Sequence, residues 1–361
     1  MFACRQISLT YFRNYSFSSF NFSRDIIGIS GKNGSGKTNL LDAIYYLCFT
    51  KSSFNRPDNQ SVQTGYGGFR IQGNFEKPGR EEEKIVCILR ENNRKEFSVN
   101  DETYQRFSEH IGKFPCIMIA PDDVALITEG SEERRKFIDT LLSQLQHDYL
   151  EQLIGYNKIL QQRNSFLKFA AERNSYDESL LEILNNQLLE KGNFIYERRK
   201  QFLHTFLPLV LQQYIAIARA DDRLTLTYDS QLNNEPFEKL LKENFQRDLY
   251  LQRTGSGIHK DDVLIELQQA SFKNIASQGQ RKSLLFAFKF SAFETLKKNK
   301  GFAPIILLDD VFEKLDEKRM ENLLEYVCVQ SGAQVFITDT HKERLQQAFV
   351  KTGREYDLIE L

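Results

Sequence analysis

The sequence predicts an α/β fold with a mixed sheet, into which an α-helical lobe is inserted. About the first 50 residues read as two strands, a glycine-rich loop and a helix, and about the last 90 residues again alternate between strands and helices. Between them lie two segments of about 40 residues with apolar side chains at spacings of three and four. This spacing is typical of long, paired helices.

Short apolar runs predict the strands of the N-terminal part. Alternating apolar and polar side chains in residues 69–99 indicate a small antiparallel layer. The apolar run 116–120 ends in Pro121-Asp122-Asp123, so we expect a buried strand that reaches a functional edge. The other predicted elements of this part are strands at residues 7–11 and 26–29 and a helix from about Lys37.

The middle of the chain predicts a helical hairpin, with helices at about residues 132–171 and 178–218. Gly155, Gly192 and Pro208 interrupt the apolar pattern, which favours a bundle-like lobe over a coiled-coil arm. Beyond it we expect strands at residues 224–228, 304–308 and 334–338 and helices from about Gly279 and Glu317. The expected division of the chain is 1–125, the helical lobe 126–255, and 256–361.

Composition restricts the classes of function. The 361 residues include 48 Lys plus Arg and 49 Asp plus Glu, so any DNA contact must come from local patches. The five cysteines form no C-x-x-C pair and have no histidines at metal-ligand spacing, which predicts buried, reduced thiols. We see neither a signal-peptide pattern nor an apolar run near the ~18 residues of a membrane span, and therefore expect a cytoplasmic protein without a membrane partner.

Residues 31–38 fit the phosphate-loop pattern G-x-x-x-x-G-K-[ST] and lie between a predicted strand and a predicted helix, as that motif requires. Lys37 can neutralise the β and γ phosphates of ATP, and Thr38 can ligate Mg²⁺. The alternative, a flexible turn with a chance lysine, is disfavoured by this context. The predicted nucleotide-binding residues are Gly31, Lys32, Asn33, Gly34, Ser35, Gly36, Lys37 and Thr38, of which Lys37 is also predicted to be catalytic.

A second motif is the apolar run 305–308, which ends in two carboxylates, Asp309 and Asp310. This is the form of a Walker-B strand, in which the first acid holds Mg²⁺. Asp309 is thus the predicted metal ligand, and Asp310 is predicted to be catalytic as the general base that polarises the attacking water. Considered without other motifs, an apolar run that ends in two acids is more often a strand end with solvated acids. The presence of the phosphate loop makes the Walker-B interpretation the preferred one.

The third motif, A-S-Q-G-Q-R-K at residues 276–282, stands at the start of an amphipathic helix, with Ser277 placed as its N-cap. Locally it is a good helix cap. At this position it resembles the signature motif of ABC-type ATPases, L-S-G-G-Q, and Leu315-Asp316 resembles their D-loop. The resemblance implies an ABC-type P-loop ATPase head and adds to the nucleotide site Ser277, Gln278, Gly279, Gln280 and Asp316.

A signature motif far from its own phosphate loop predicts a homodimer, since one protomer's loop is completed by the helix N-terminus of the other. In such a pair, ATP joins the two copies. Hydrolysis removes the bridging phosphate and releases the clamp.

Several segments together resemble the RecF family of bacterial DNA-repair proteins across nearly the whole chain. Their order and spacing match, and the length agrees with a compact helical lobe in place of the long arms of SMC and Rad50 proteins. The resemblance adds Arg13, Asn14 and Asn39 to the nucleotide site. The matching segments are residues 12–15, 31–44, 120–123, 133–139, 162–164, 167–168, 257–262, 277–280 and 308–312.

The chain departs from the patterns of these families at three places. Where the family has the segment G-P-H-R-D-D, this chain has Ile258 in place of proline and Lys260 in place of arginine. Asp339 stands where many ABC ATPases place a switch histidine. No glutamine follows the strand at 116–120. His341 and the acids at 122–123 are the candidate replacements. These departures affect the rate of ATP hydrolysis more than the binding of nucleotide. We therefore predict a weak, DNA-stimulated ATP hydrolase that is used as a switch.

The resemblance implies ATP-dependent binding to DNA, preferably at gaps and single-strand/double-strand junctions, and cooperation with RecR and RecO in loading RecA. Two basic clusters are the predicted DNA contacts. An alternative of equal weight is that each cluster is only a solvated helix face. Arg134 and Arg135 are also candidates for orienting the helical lobe against the ATPase lobe. The cluster residues are Arg134, Arg135, Lys136, Arg198, Arg199 and Lys200.

Two other functions share these motifs: a transporter nucleotide-binding subunit and an SMC-like ATPase of another DNA-maintenance or defence system. Roughly 130 residues of helical insertion and the missing Q-loop disfavour the first. The chain has no room for the extra catalytic domain usual in the second. His259 beside Asp261 and Asp262 is expected to be a structural hydrogen-bonding group rather than a metal ligand.

Overall fold

The computed structural model describes residues 1–54, 57–173, 175–219, 222–311 and 317–361. Its strands are β1 (Ala3–Phe12), β2 (Tyr15–Asn21), β3 (Ile26–Ser30), β4 (Phe69–Glu76), β5 (Glu83–Leu89), β6 (Lys95–Val99), β7 (Glu102–Thr103), β8 (Cys116–Ile119), β9 (Leu224–Asp229), β10 (Asp262–Leu267), β11 (Ala270–Ser271), β12 (Ile305–Leu308), β13 (Val335–Asp339) and β14 (Tyr356–Glu360).

The α-helices are α1 (Lys37–Phe49), α2 (Ala125–Thr128), α3 (Ser131–Leu145), α4 (His147–Arg173), α5 (Glu178–Ala218), α6 (Phe237–Glu243), α7 (Phe245–Leu251), α8 (Phe272–Ile275), α9 (Gln278–Lys300), α10 (Glu317–Leu324) and α11 (Lys342–Thr352). A π-helical turn, Glu325–Gln330, follows α10. Within the described ranges, no helix is both long enough and apolar enough to cross a membrane.

Contacts divide the chain into two compact units, the first of which holds residues 1–123 and 292–361. This first unit contains an antiparallel sheet in the order β2-β1-β4-β5-β6-β7 and a parallel sheet in the order β14-β3-β13-β12-β8. Burial alternates along β4, as expected for a sheet with one face on the core. β12 is buried along its whole length, as parallel strands covered on both faces are.

Helix α1 contacts strands of both sheets of the first unit. Its side chains Leu40, Leu41, Ile44 and Leu47 are all fully buried, and they join the core with residues from both sheets. A helix that is apolar on nearly every side must be buried on nearly every side. Because α1 begins at Lys37, its burial fixes the position of the glycine loop that precedes it.

All five cysteines are buried and free, as the sequence predicts. Four of them, Cys4, Cys48, Cys87 and Cys116, belong to the core that surrounds α1. Burial raises the pKa of the thiols of Cys4 and Cys48 well above the ordinary value. These thiols therefore remain protonated and act as small apolar side chains.

The second unit, residues 124–291, is built on helices α4 and α5, which pack against each other along their length. The carboxylate of Asp177 caps α5 by accepting a hydrogen bond from the backbone N–H of Leu180 (3.0 Å). A small antiparallel sheet, in the order β11-β10-β9, packs on α3 and α5. The second unit is thus a bundle with a sheet at its side rather than a coiled-coil arm.

The predicted α/β fold with an inserted helical hairpin is confirmed, but one detail is wrong. The first predicted helix is two helices, α3 and α4, because Gln146 between them is extended (φ −136°, ψ 111°). The second predicted helix, 178–218, is confirmed as α5, which is continuous although Gly192 and Pro208 interrupt its apolar pattern. Buried neighbours of Pro208, Phe206, Leu207 and Val210, hold α5 together where the proline removes a backbone hydrogen bond.

The three-segment division of the chain stays a prediction. Its first boundary, 125/126, lies close to the contact-based boundary at 123/124. Contacts group residues 256–291, which the sequence assigned to the last segment, with the helical unit.

Gly192 gives a stability prediction. A methyl group there would lie 2.5 Å from the ring of Phe237 and 3.2 Å from that of Tyr156, both buried. Overpacking of this kind costs about 1–3 kcal/mol, which exceeds the gain of about 1 kcal/mol in helix propensity. We expect Gly192→Ala to lower the midpoint of urea unfolding. Gly155→Ala is the matched control, because its methyl meets only the flexible Lys191 side chain and it should be neutral or stabilising. Equal midpoints for the two variants would contradict this account.

Candidate nucleotide-binding site

The carboxyl ends of the parallel strands bring the predicted motifs to one edge of the sheet. Ser30, the last residue of β3, pairs with Asp339 at the end of β13. Leu308, the last residue of β12, pairs with Ile337 of β13 on one side and with Ile119 of β8 on the other. The glycine loop, the acid pair and the position of the switch residue therefore all leave the sheet at the same edge, which is where α/β proteins bind ligands.

The glycine loop curls between β3 and α1. Gly34 (φ +83°) and Gly36 (φ +116°) both have left-handed backbone, which favours glycine. Lys37 is 4% exposed, and its ammonium donates to the loop carbonyls of Gly31 (2.8 Å) and Lys32 (3.2 Å). The loop opens on a cleft of about 770 Å³ whose other wall is the turn after β13, residues 340–343. A cleft of this size accommodates a nucleotide.

Arg13 and Asn14 form the tip of the β1–β2 hairpin and contact the loop and α1. Asn14 donates to the carbonyl of Ser35 (2.9 Å) and accepts from the amide of Asn39 (2.7 Å). Arg13 donates to Asn39 (3.0 Å) and forms an ion pair with the buried carboxylate of Asp42 (2.6 Å). The structure thus brings together these three predicted residues, and their direct contact with nucleotide stays a prediction.

Thr38 of the phosphate loop and Asp309 of the acid pair are in direct contact. The hydroxyl of Thr38 donates to the two carboxylate oxygens of Asp309 at 3.0 and 2.9 Å. Thr338 of β13 donates to the same carboxylate (2.8 Å) and accepts from the backbone N–H of Asp310 (2.9 Å). Burial raises the pKa of Asp309, and hydrogen bonds from Thr338 and Thr38 partly offset this effect. Asp310 has a left-handed backbone (φ +43°), which turns the chain sharply after β12.

The oxygen donors of Thr38 and Asp309 suit a hard cation such as Mg²⁺, which in nucleotide sites takes few protein ligands and completes its shell with phosphate and water. Within the described residues, no group of three or more His, Cys, Asp and Glu side chains is arranged to hold a metal ion alone. The donor set therefore fits a cation that is shared with a nucleotide.

The signature segment lies in the second unit, at the start of α9. The Ser277 hydroxyl accepts from the backbone N–H of Gln280 (3.2 Å), and the Gln280 side chain accepts from the backbone N–H of Ser277 (2.8 Å). This reciprocal pair is a capping box. Ser277 and Gln278 are exposed, while Gly279 and Gln280 are half-buried. The helix N-terminus, with its partial positive charge, is thus presented to solvent.

The candidate residues for the switch position lie in the turn after β13. Asp339 is buried and accepts from the backbone N–H of His341 (2.7 Å) and the guanidinium of Arg344 (2.7 Å). His341 lines the cleft at the glycine loop. The predicted D-loop residue, Asp316, lies outside the described residues.

The first basic cluster is largely occupied by contacts within the second unit. Arg134 forms a two-pronged ion pair with Asp262 (2.6 and 3.0 Å), and Arg135 donates to the carbonyl of Asp261 (2.6 Å). Burial lowers the pKa of Arg135. These contacts favour a structural role for the two arginines, which hold α3 against residues 261–262. The predicted orientation of the helical lobe against the ATPase lobe is not what these contacts do, because both partners lie in the second unit. Lys136 remains half-exposed, beside Glu133 (3.6 Å).

In the second cluster, Arg199 is 2% exposed and forms ion pairs with Asp139 and Asp261, both at 2.8 Å. A predicted DNA contact at Arg199 does not fit this burial, because a buried guanidinium with two carboxylate partners has no surface for a phosphate. Arg198 and Lys200 do reach the surface, the first beside Asp148 (3.1 Å) and the second beside the hydroxyl of Tyr196 (3.1 Å).

His259 is structural, as expected. Its ring is hydrogen-bonded to the hydroxyl of Tyr156 (2.8 Å) and to the carbonyl of Thr254 (3.0 Å). Burial lowers the pKa of His259 to about 4, so the ring is neutral near pH 7. A neutral, fully hydrogen-bonded ring supports the fold of the segment 257–262.

The parallel sheet, the glycine loop at its carboxyl edge, the Thr38–Asp309 pair and the helical insertion define a P-loop ATPase head of the ABC and SMC type. The family model for the RecF/RecN/SMC N-terminal domain matches residues 3–356. The DNA replication and repair protein RecF of Flavobacterium johnsoniae is 43% identical over 99% of both chains. RecF of Cytophaga hutchinsonii is 39% identical over 98% of this chain and 93% of its own. The chain therefore belongs to the RecF family of DNA replication and repair proteins.

Solved structures agree with this family. A structure of the recombination mediator protein RecF with ATPrS, in the RecFOR pathway, is 29% identical with a TM-score of 0.88, covering 94% of this chain and 93% of that chain. The corresponding RecF complex with ATP has a TM-score of 0.87. An Smc head domain from Pyrococcus furiosus, 15% identical with a TM-score of 0.54, shares the fold. The similarity to ATP complexes and the ATPase fold both support ATP binding.

Three residues of this site were not predicted as site residues. Tyr15 donates to the carbonyl of Gly36 (3.0 Å), Asp42 accepts from Arg13, and Thr338 joins the acid pair. Tyr15 and Asp42 occur only within segments that match the RecF family. A buried aspartate in the middle of an apolar helix was the available signal for Asp42, since such a charge requires a partner.

Thr338 gives the second prediction. Thr338→Val removes the hydroxyl that accepts from Asp310 and donates to Asp309, leaving both groups without this partner in a buried position. A lost partner of this kind costs about 1–3 kcal/mol. We expect Thr338→Val to lower the free energy of unfolding in urea by this amount, while Thr338→Ser, which keeps the hydroxyl, should lose less than half as much. A Val variant as stable as the Ser variant would contradict the proposed role.

Proposed function

We propose that this chain is a RecF-type recombination mediator, which binds ATP between two copies of itself and in that state holds DNA at gaps and at single-strand/double-strand junctions. The proposal rests on one observation: Thr38 contacts Asp309 directly after the glycine loop, and the buried Lys37 donates to a carbonyl of that loop. This is the arrangement that a P-loop enzyme needs around the phosphates of ATP and a divalent cation.

The chain's own residues act on the triphosphate in distinct ways. The backbone N–H groups of the loop and the N-terminus of α1 bind the phosphate oxygens, and Lys37 exchanges its bonds to loop carbonyls for bonds to phosphate. Mg²⁺, held by Thr38 and Asp309, would neutralise charge that develops on the phosphates. Asp310 accepts a proton from the attacking water. We propose that hydrolysis is slow and stimulated by DNA, so that it acts as a switch.

The exposed capping turn at Ser277 supports the dimer. An exposed helix N-terminus, with its partial positive charge, is a ready-made anion site. In the proposed dimer, the Ser277 turn of each copy binds the γ-phosphate that the other copy's loop holds. The ATP molecules then contribute part of the interface itself, and release of phosphate opens it.

Binding to DNA and cooperation with RecR and RecO in loading RecA complete the proposal. They are supported by the 43% identity to a RecF protein over almost the full length. Of the two basic clusters, the exposed cations Lys136, Arg198 and Lys200 remain as candidates for phosphate contacts. A transporter subunit and a defence ATPase are disfavoured, because the full-length relatives are replication and repair proteins.

The dimer gives the third prediction. Lys37→Ala and Ser277→Ala should both abolish ATP-dependent dimerisation in sizing experiments with light scattering. Since Ser277→Ala also removes a helix cap, Ser277→Asp is the sharper test. Aspartate is an equally good N-cap, but its charge repels the γ-phosphate. We expect Ser277→Asp to fold normally and to remain monomeric with ATP. Normal dimerisation of this variant would exclude the proposed interface.

Junction binding gives the fourth prediction. With ATP, the protein should bind a gapped duplex at least 10-fold more tightly than a blunt duplex of equal length, and Lys37→Ala should lose this preference. Fluorescence anisotropy with labelled DNA measures both affinities, and omission of ATP is the control. An affinity for gapped DNA that equals the affinity for blunt DNA, or that ATP leaves unchanged, would reject junction binding.

A further inference from the structure

A small cavity of about 260 Å³ in the second unit combines three positive charges with polar groups. Arg247, Arg253 and Lys260 line it, together with Gln231, Asn244, Leu251 and Gly255, and we call it the basic cavity. Within the described part of the chain, its lining includes no carboxylate. The net charge of the whole chain is only −1, so this grouping is a local feature.

The three cations of the basic cavity have side chains without an ion-pair or hydrogen-bond partner among the residues that the structure describes. Other exposed cations of the same unit, such as Arg198 and Lys242, lie beside a carboxylate. Like charges grouped around one cavity repel each other, and an anion that enters the cavity removes that repulsion. The grouping therefore indicates an anion-binding site.

An exposed aromatic ring belongs to a helix that lines the cavity. Arg247, Tyr250 and Leu251 occupy positions i, i+3 and i+4 of α7 and so share one face of that helix. Tyr250 is 85% exposed, the largest exposed fraction among the large hydrophobic side chains of the described residues. An exposed aromatic ring next to unpaired cations is the combination with which proteins hold the bases and the phosphates of a nucleic-acid strand.

Buried hydrogen bonds hold the wall of the basic cavity in place. Asp248, which is fully buried, accepts from the guanidinium of Arg163 (2.8 Å) and from the backbone N–H of Gly255 (2.8 Å). The left-handed backbone of Gln252 (φ +55°) ends α7, and the backbone N–H of Arg253 donates to the carbonyl of Asp248 (3.0 Å). The backbone from which Arg247 and Arg253 project is thus held in place before a ligand binds.

We propose that the basic cavity binds the phosphodiester backbone of single-stranded nucleic acid, and that the bases of this strand stack on Tyr250. A single strand fits better than a duplex, because only an unpaired base exposes its face to an aromatic ring. The inference rests on the proposed DNA-binding function and deepens it. It assigns the single-stranded side of a junction to a surface other than the two basic clusters.

Neutralising the three cations tests the proposal. The triple variant Arg247→Gln, Arg253→Gln, Lys260→Gln and the wild-type chain are titrated with a labelled 20-nucleotide oligo(dT) at several salt concentrations in the presence of ATP. Each phosphate contact on a single strand contributes about 0.7 to the slope of log K against log salt. We expect the slope to fall by about 2, and the affinity to fall on the order of 100-fold at 0.1 M salt.

Tyr250 tests the stacking contact. Tyr250→Ala should weaken oligo(dT) binding on the order of 10-fold and leave the salt slope and the binding of blunt duplex unchanged, whereas Tyr250→Phe should keep the wild-type affinity. The matched charge control is Lys158→Gln, Lys168→Gln, Arg173→Gln, three exposed cations on α4 outside the cavity, which should bind as the wild type does. Melting temperature and ATP binding should be the same for all variants.

The outcomes separate this proposal from the proposed function. A wild-type chain that binds no DNA with ATP would refute the DNA-binding function itself. A wild-type chain that binds oligo(dT), with a triple variant that keeps the same affinity and slope, would overturn the basic cavity alone. A triple variant that loses binding of poly-glutamate but keeps binding of oligo(dT) would assign the cavity to an acidic protein segment and overturn the proposal. Equal effects of Tyr250→Ala on duplex and single strand would refute the single-strand assignment.

Discussion

Burial of helix α1 between two sheets is the constraint on which the first unit depends. An apolar helix of this kind is stable only when it is covered on both sides, so the antiparallel and the parallel sheet must face each other across it. Because the glycine loop runs directly into α1, the positions of Lys37 and Thr38 are set by core packing rather than by the loop alone. The Arg13–Asp42 ion pair attaches the β1–β2 hairpin to the same helix, which brings a third segment to the site.

Buried arginines have the corresponding role in the second unit. Arg163 and Arg199 are each enclosed and each paired with a carboxylate, Arg163 with Asp248 and Arg199 with Asp139 and Asp261. Leaving a buried charge without its partner costs several kcal/mol, so these pairs fix which segments meet. They connect long helices to the turns around residues 248–262. Residues of these turns line the basic cavity. A residue type usually associated with DNA contact here builds the frame.

The sequence was sufficient where a pattern along the chain reports burial directly, as for β3, α1 and α5. It was insufficient where one residue changes the path: extended Gln146 divides α3 from α4 without disturbing the apolar spacing. The phosphate loop could be predicted because its residues are consecutive. Thr338 could not, since its role depends on a hydrogen bond to Asp310 across two strands. For Arg199, the charge of the side chain alone did not distinguish a buried ion pair from a DNA contact at the surface.

Burial of all five cysteines has a practical consequence for spectroscopy. Maleimide dyes and spin labels react with accessible thiolates. Burial hides all five sulfur atoms, and it also raises the pKa of the thiols of Cys4 and Cys48. A single cysteine introduced at an exposed position would therefore react ahead of the native ones, without their prior removal. Distances between labelled copies could then be followed by energy transfer or electron spin resonance in the otherwise unaltered chain.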